Sequence, residues 1–248
     1  MLTLNGVTRV YNGWWKKPAL HRVNLQLCPG QIVALLGENG AGKTTLMKLA
    51  AGLIRPSQGE VLLDGVPVTW RQKDRLAYAS SEHTFFGDLS AEGHAKLYAQ
   101  LFPRFREKRF RMLMDYFSLP VRRAAGGLST GMKNQLEMAL ALCKGAQYIL
   151  MDEPFAGSDI FNRQDFYKLL AGLLEEDEHL LLSTHLVDEV RPILNRAVVL
   201  REGELLADAD ADALDALDDS LSGWMHKLYG HPAGRAAQFL QERGGEEG

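Results

Sequence analysis

Gly37, Gly42, Lys43 and Thr44 fall at the spacing G-x-x-x-x-G-K-[ST] inside GENGAGKTT, residues 37–45, directly after the apolar run IVALL. That spacing suits the wrapping of a polyphosphate. The glycines let successive backbone N–H groups curl around phosphate oxygens, and the N-terminus of a following helix adds positive potential. Lys43 is long enough to reach the terminal phosphates, and the Thr44 hydroxyl can ligate Mg²⁺. A kinase, a GTPase, a DNA-repair ATPase and a transporter motor all satisfy this pattern, so the remaining residues must discriminate between them.

Hydrolysis needs a metal ligand and a group that polarises water. YILMDEP supplies two carboxylates at the end of an apolar run, with Asp152 placed to hold Mg²⁺ through water and Glu153 to polarise the attacking water. His185 follows LLLST at the end of another such run. An imidazole there can contact a terminal phosphate, although a single histidine serves structure more often than catalysis. LSTGMKNQ, residues 128–135, is the discriminating segment: Ser129 reads as a helix N-cap, Gly131 permits close backbone approach, and a helical pattern follows. It makes a second anion-binding helix start. Since Gly37–Thr45 already serve one nucleotide, the second suggests service to a nucleotide bound by another chain.

These residues require a scaffold of alternating strands and helices. LTLNGV, VNLQLCPGQ and IVALL read as strands, the last apolar throughout and so covered on both faces of a parallel sheet. TTLMKLAAG reads as a helix stopped by Gly52. IRPSQGEVLLDGVPVTW returns to strand character around a DG turn. From Ser90 to Arg123 the spacing turns helical through Leu97, Leu101, Phe105, Phe110, Leu113, Met114 and Phe117, ending at a flexible pair, Gly126 and Gly127. MKNQLEMALALCK is a helix with Met132, Leu136, Ala139, Leu140 and Cys143 on one face; YILM and HLLLS are buried strands flanking a helix near 160–176, and AVVLREGELLA is a closing hairpin. Such alternation predicts an α/β fold with a central, mostly parallel sheet.

Composition agrees. The 248 residues are 46% hydrophobic with a net charge of −3, enough for one large α/β domain and without the basic balance of a dedicated nucleic-acid binder. The N-terminus lacks a secretion signal, and no segment approaches the roughly 20 apolar residues of a membrane span, so a soluble chain is expected. Cys28 and Cys143 lack metal-ligand spacing and are expected to be two buried thiols in a reducing cytoplasm.

In order and spacing together, the chain resembles the nucleotide-binding subunit of an ABC transporter over residues 1 to about 217. GENGAGKTT resembles the Walker A loop, LSTGMKNQ the signature motif and YILMDEP the Walker B strand with Glu153 as catalytic glutamate. AGSD, ending in Asp159, resembles the D-loop, and STH places His185 as the switch histidine. The resemblance implies a P-loop NTPase with an N-terminal antiparallel β subdomain, an inserted α-helical subdomain at about 84–127 and a short C-terminal extension over 218–248. It also implies ATP and Mg²⁺ as ligands. ATP would rest on Tyr11 beneath the adenine, on Gly37, Glu38, Asn39, Gly40, Ala41, Gly42, Lys43, Thr44 and Thr45, and on Ser129, Gly131 and Asp159 across a head-to-tail dimer. The expected partners are a second ATP-binding subunit, identical or homologous, and an integral membrane permease, with this chain peripheral on the cytoplasmic face. The LSTGM form of the signature, with DEPFAGSD, resembles subunits paired with a separately encoded, exporter-like permease.

Three departures stand out. Aligning YASSEHTFFGDLS with the family's Y-x-P-Q segment puts Ser81 where a Mg²⁺-contacting glutamine is expected, with Glu82 beside it; either Glu82 takes the role as metal ligand or the site is slower and differently coupled. Ser158 stands where the D-loop commonly has leucine, and NGWWKKP brings Trp14 and Trp15 near the adenine site, either to stack on a base or partner or to pack on their own sheet. Among weaker signals, Arg104, Arg106, Lys108, Arg109 and Arg111 among phenylalanines fit nucleic-acid binding or, more commonly, an amphipathic helix with a solvated face. In the family this insertion grips the permease, which makes Phe85, Phe86 and the residues near Leu97 the candidate groove. Leu214, Leu217, Leu221, Trp224 and Leu228 form a helical stripe expected to pack on its own domain, before a frayed tail, QERGGEEG. The competing functions are a soluble ABC-type ATPase acting on ribosomes or DNA, a weakly active regulatory half of a heterodimer, and a small-molecule kinase, which leaves LSTGMKNQ and His185 unexplained.

Overall fold

The computed structural model describes residues 1–11, 17–83, 85–155, 163–217 and 220–230. Asp159, Ser158, Trp14, Trp15 and the tail from 231 onward lie outside the described residues. In chain order the elements are β1 (Leu2–Arg9), β2 (Leu20–Leu27), β3 (Ile32–Leu36), α1 (Lys43–Ala50), β4 (Gln58–Leu63), β5 (Val66–Pro67), β6 (Leu76–Ser80), α2 (Ala91–Leu101) and α3 (Glu107–Tyr116). There follow α4 (Thr130–Cys143), β7 (Tyr148–Asp152), α5 (Arg163–Leu173), β8 (His179–Ser183), α6 (Val187–Val190), β9 (Arg196–Arg201), β10 (Glu204–Asp210), α7 (Ala211–Asp215) and α8 (Leu221–Tyr229).

Two sheets form. One runs β10-β9-β3-β8-β7-β6, with every pairing parallel except the β9–β10 hairpin, and the other is antiparallel in the order β2-β1-β4-β5. The apolar strands β3, β7 and β8 are buried along their whole length because both faces of the larger sheet are covered. Ala34, Leu36, Ile149, Met151, Leu180 and Leu182 pack on the helical side, whereas Val33, Leu35, Tyr148, Leu150 and Leu181 pack toward α1 and the smaller sheet. The register fixes the functional edge: Ser80, Asp152 and Ser183 are aligned across β6, β7 and β8, and Leu35 pairs with Ser183. Four strands therefore end together, and the loops that follow three of them carry the site.

The helical segment after β6 departs from expectation in two ways. Gly126 is tied down, its N–H donating to the Gly87 carbonyl at 2.8 Å, so the pair that closes the insertion is a fixed crossing of two loops. The basic run is divided: Arg106 and Arg109 turn inward, whereas Arg104, Lys108 and Arg111 stay exposed. Arg109, 9% exposed, donates to Glu178 at 3.0 Å and to the Leu142 carbonyl at 2.9 Å, and Arg106 pairs with Glu175 and Glu178. Arg104 pairs with Asp177 and Arg111 with Glu107 in exposed ion pairs, so four of the five basic side chains have acidic partners within the chain.

Two further expectations are corrected. Cys143 is buried and its thiol is pushed up to about 12 by desolvation, but Cys28 is exposed because it is the first residue past β2, where the in-out alternation points it outward. The C-terminal stripe does not form one helix: Ser220 caps a new one, its Oγ accepting from the Gly223 N–H at 3.1 Å, so α7 and α8 are separate. Both pack on their own domain through Leu214, Leu221 and Tyr229, as the stripe predicts.

Candidate nucleotide-binding and catalytic site

The loop between β3 and α1 has a shape only glycine allows at its two ends. Gly42 sits at φ 106° immediately before α1, and a Cβ there would stand 2.5 Å from the Ala19 carbonyl oxygen. At Gly37 a Cβ would stand 2.4 Å from the Leu200 carbonyl oxygen. The loop thus folds against neighbouring backbone on both sides, leaving the N-terminus of α1 open. Lys43, 7% exposed, lies over the loop and donates to the carbonyls of Gly37 at 2.8 Å and Glu38 at 3.2 Å. Its carbon stem is buried while the ammonium is held at the loop's mouth.

The ends of β7 and β8 bring the acids to that mouth. The Lys43 ammonium is 3.9 Å from Glu153 Oε1, and His185 Nδ1 is 2.8 Å from Glu153 Oε2. A cation, a carboxylate and an imidazole from three separate loops therefore meet within reach of one bound group. Glu153 adopts φ 48°, a left-handed conformation that costs a β-carbon residue about 1–2 kcal/mol and that clusters at functional sites. Ser183, which the sequence reading overlooked, holds it there. The Glu153 N–H donates to the Ser183 Oγ at 3.0 Å and to its carbonyl at 3.2 Å, while the Ser183 hydroxyl donates to Asp152 Oδ1 at 2.5 Å. The Ser-Thr-His order at the end of β8 was the only sign of it in the sequence. Next in the sheet, the Tyr78 phenol is pushed well above its ordinary range by burial and then by the Asp152 charge, so it stays neutral.

The other sequence-read residues fall around this centre. Tyr11 is exposed at the edge of the loop, its hydroxyl 3.4 Å from Thr45 Oγ1, with the Arg9 guanidinium over one face of its ring at 4.8 Å. Thr44 is exposed on the first turn of α1. Ser129 caps α4, its Oγ accepting from the Met132 N–H at 3.3 Å, and it is exposed at the start of that 14-residue helix with Gly131 beside it. Glu82 is brought close to α1, but its carboxylate is engaged by Lys48, at 2.7 and 2.8 Å. Ser81 is exposed in the turn ahead of it. In the insertion, Phe86 is exposed and stacks on the buried His94, Phe85 packs on the core and Leu97 is half-buried.

Among the described residues no group of three or more His, Cys, Asp or Glu side chains could hold a metal ion alone. The donors present, a threonine hydroxyl and a buried carboxylate, are hard oxygens. They fit Mg²⁺, which takes most of its octahedral shell from phosphates and water and few ligands from protein.

Comparison with known proteins agrees with this arrangement. The family model described as ABC transporter matches residues 20–156. The ABC transporter ATP-binding protein NatA of Bacillus subtilis is 30% identical over 222 residues, 83% of this chain and 88% of the relative. The lipopolysaccharide export system ATP-binding protein LptB of Acidithiobacillus ferridurans is 31% identical over 207 residues, 79% of this chain and 86% of the relative. Among solved structures, an ATP-binding subunit of an ABC transporter superposes with a TM-score of 0.80 at 24% identity, covering 92% of this chain and 99% of that one. A dimeric ATP-binding cassette in a post-hydrolysis state with ADP and Pi superposes with a TM-score of 0.75, covering 85% of this chain and 98% of that one. The fold is that of the P-loop cassettes, and the chain belongs to the ABC transporter family as an ATP-binding ATPase subunit.

Proposed function

We propose that Lys43, Glu153 and His185 form the hydrolytic centre of a cassette that dimerises head to tail on ATP and drives a separate integral membrane permease from the cytoplasmic face. The observation that carries this reading is the meeting of the three side chains, 3.9 Å and 2.8 Å apart at adjacent strand ends. In that centre Lys43 and those N–H groups of the Gly37–Thr45 loop not engaged within the chain, as Glu38 and Ala41 are, take the terminal phosphates. Glu153, oriented by Ser183, accepts the proton of the attacking water, and His185 steadies the transferred phosphoryl oxygen. Tyr11 offers its free ring face to adenine. Mg²⁺, when bound, neutralises charge between the phosphates, and Thr44 and Asp152 would hold it, with Glu82 joining by releasing Lys48.

Ser129, exposed at the start of α4, and the half-buried Gly131 serve the nucleotide of the opposing subunit, and the resemblance assigns Asp159, outside the described residues, to the same task. Among the described residues no helix is long and apolar enough to cross a membrane, which supports a peripheral subunit that borrows its membrane path from a partner. The pairing of Arg104, Arg106, Arg109 and Arg111 with the chain's own acids speaks against the ribosome- or DNA-acting alternative, and the intact Glu153–His185 contact against a regulatory half-site. The test is Glu153→Gln, in which the amide cannot take a proton: ATP turnover falls by about 10²–10⁴ while an ATP-bound dimer accumulates, seen by size-exclusion chromatography with Mg-ATP. Pull-down of that dimer from detergent-solubilised membranes should bring a multi-span protein. Turnover equal to the parent's would sink the assignment of Glu153, and recovery of ribosomal proteins or nucleic acid without a membrane protein would sink the transporter reading.

A further inference from the structure

Two parts of the site are fastened to a helix that lies outside every motif. Tyr229, the last residue of α8, is 6% exposed and inserts its hydroxyl between the phosphate loop and the sheet. That hydroxyl donates to the Leu200 carbonyl at 2.8 Å and accepts from the Glu38 N–H at 3.4 Å. The Leu200 carbonyl is also the atom against which Gly37 is pressed. One oxygen near the end of β9 therefore seats both the glycine that opens the loop and the phenol that steadies its second residue. Burial raises the Tyr229 phenol above its ordinary value, which keeps it a donor across the working pH range.

At its other end α8 holds the histidine segment. The Ser222 N–H donates to Asp188 Oδ1 at 3.1 Å and its hydroxyl to Asp188 Oδ2 at 2.6 Å. Asp188 stands on the first turn of α6, three residues after His185. Leu221 is buried and Trp224, Met225 and Leu228 pack on the core, so the helix is anchored along its length. Between it, Gly37, Glu38, Thr184 and His185 lies a cavity of about 430 Å³, so the two fastenings are separate contacts and not one packed mass.

We propose that Tyr229 is a positioning residue for the phosphate loop and that α8 is a strut setting the distance between that loop and the His185 segment. The proposal rests on the assignment of Gly37–Thr45 and His185 made above. Tyr229→Phe keeps the ring and removes only the hydroxyl, so it separates positioning from packing. The dissociation constant for Mg-ATP, from calorimetric titration of the full chain, should rise roughly three- to tenfold, the worth of one hydrogen bond, with turnover at saturating ATP within about twofold of the parent. Ser222→Ala should do the converse, lowering saturated turnover about threefold or more while leaving affinity unchanged. Lys43→Ala is the control for the underlying assignment. If Lys43→Ala abolishes binding but Tyr229→Phe binds as the parent does, or loses only thermal stability, the strut is refuted and the phosphate loop stands. An unchanged saturated rate in Ser222→Ala refutes it equally. If the parent chain itself fails to bind Mg-ATP, both readings fall.

Discussion

Ser183→Ala removes one oxygen from the structure and should disturb two carboxylates. Ser183 is fully buried, and its hydroxyl donates to Asp152 Oδ1 at 2.5 Å while accepting from the Glu153 N–H at 3.0 Å. Alanine leaves the Asp152 carboxylate, 6% exposed, without a donor that a charged acceptor values at roughly 1.5–3 kcal/mol. The Glu153 N–H keeps only the carbonyl acceptor at 3.2 Å, with the left-handed backbone still to be held. For a chain of this size each kcal/mol moves the melting temperature by about 2–4 °C, so a drop of about 3–12 °C is expected in circular-dichroism melting. Where the same bonds aim Asp152 and Glu153 in the transition state, the loss corresponds to a fall of about 10- to 150-fold in kcat, read by phosphate release at saturating Mg-ATP. Ser183→Cys, a weak donor, should fall between the two. A Ser183→Ala protein within about twofold of the parent in kcat and about 1 °C in melting would refute the claim that this hydroxyl organises the acidic pair.

Two further outcomes follow from buried charge. Arg109→Met strips the Glu178 carboxylate, 2% exposed, of its nearest cation, leaving Arg106, and takes the donor from the Leu142 carbonyl at the end of α4, so a loss of about 3 kcal/mol is expected in urea unfolding, partly recovered in Arg109→Met/Glu178→Met. Burial, only partly offset by Arg109, raises the Glu178 carboxyl above its ordinary range, so its contribution is most favourable at low pH and is lost as pH rises; the Arg109→Met penalty should accordingly shrink on acidification. His179 has the opposite sign: burial lowers it from 6.5 to about 4, the unfolded chain takes up the proton first, and stability should fall by on the order of 3 kcal/mol as pH drops through that window. His179→Gln should flatten that slope, and an unchanged slope would show that another group carries it.

The sequence made the phosphate loop, the acidic strand end and the capped signature helix legible because each depends on local chemistry: glycine geometry, an apolar run closed by carboxylates, a serine before a helical pattern. The sheet was legible for the same reason, since only strands covered on both faces are written as IVALL or YILM. What escaped depends on contacts distant in sequence. Ser183 and Asp152 are joined only by the register of β7 and β8, and Tyr229 meets Glu38 across 191 residues. Helical spacing captured the solvated face that Arg104, Lys108 and Arg111 keep, but not the inward turn of Arg106 and Arg109, because their partners Glu175 and Glu178 lie beyond α5. Cys28 was misplaced because its residue type was weighed above strand alternation: Leu25 and Leu27 face inward, so the residue after Leu27 faces out.

The turn after β6, where Ser81 and Glu82 depart from the family's pattern, touches both α1 and α4. Glu82 pairs with Lys48 on α1, but the carboxylate is 64% exposed, and an ion pair in that setting is worth about 0–1 kcal/mol. Such a pair orients Glu82 toward the helix that starts at the phosphates without locking it there. The firmer attachment is one residue on. His83 Nε2 lies 2.6 Å from Asn134 Oδ1 on α4, one turn beyond the exposed start at Ser129, and the backbone of His83 is held at φ 49°. If a second subunit closes on Ser129 as proposed, a shift of α4 would reach His83 and, through one peptide, Glu82. The turn therefore carries an exposed ion pair toward α1 and a part-buried hydrogen bond toward α4. A joint built that way lets the helix command the carboxylate, whereas a strong Lys48–Glu82 bond would pin it.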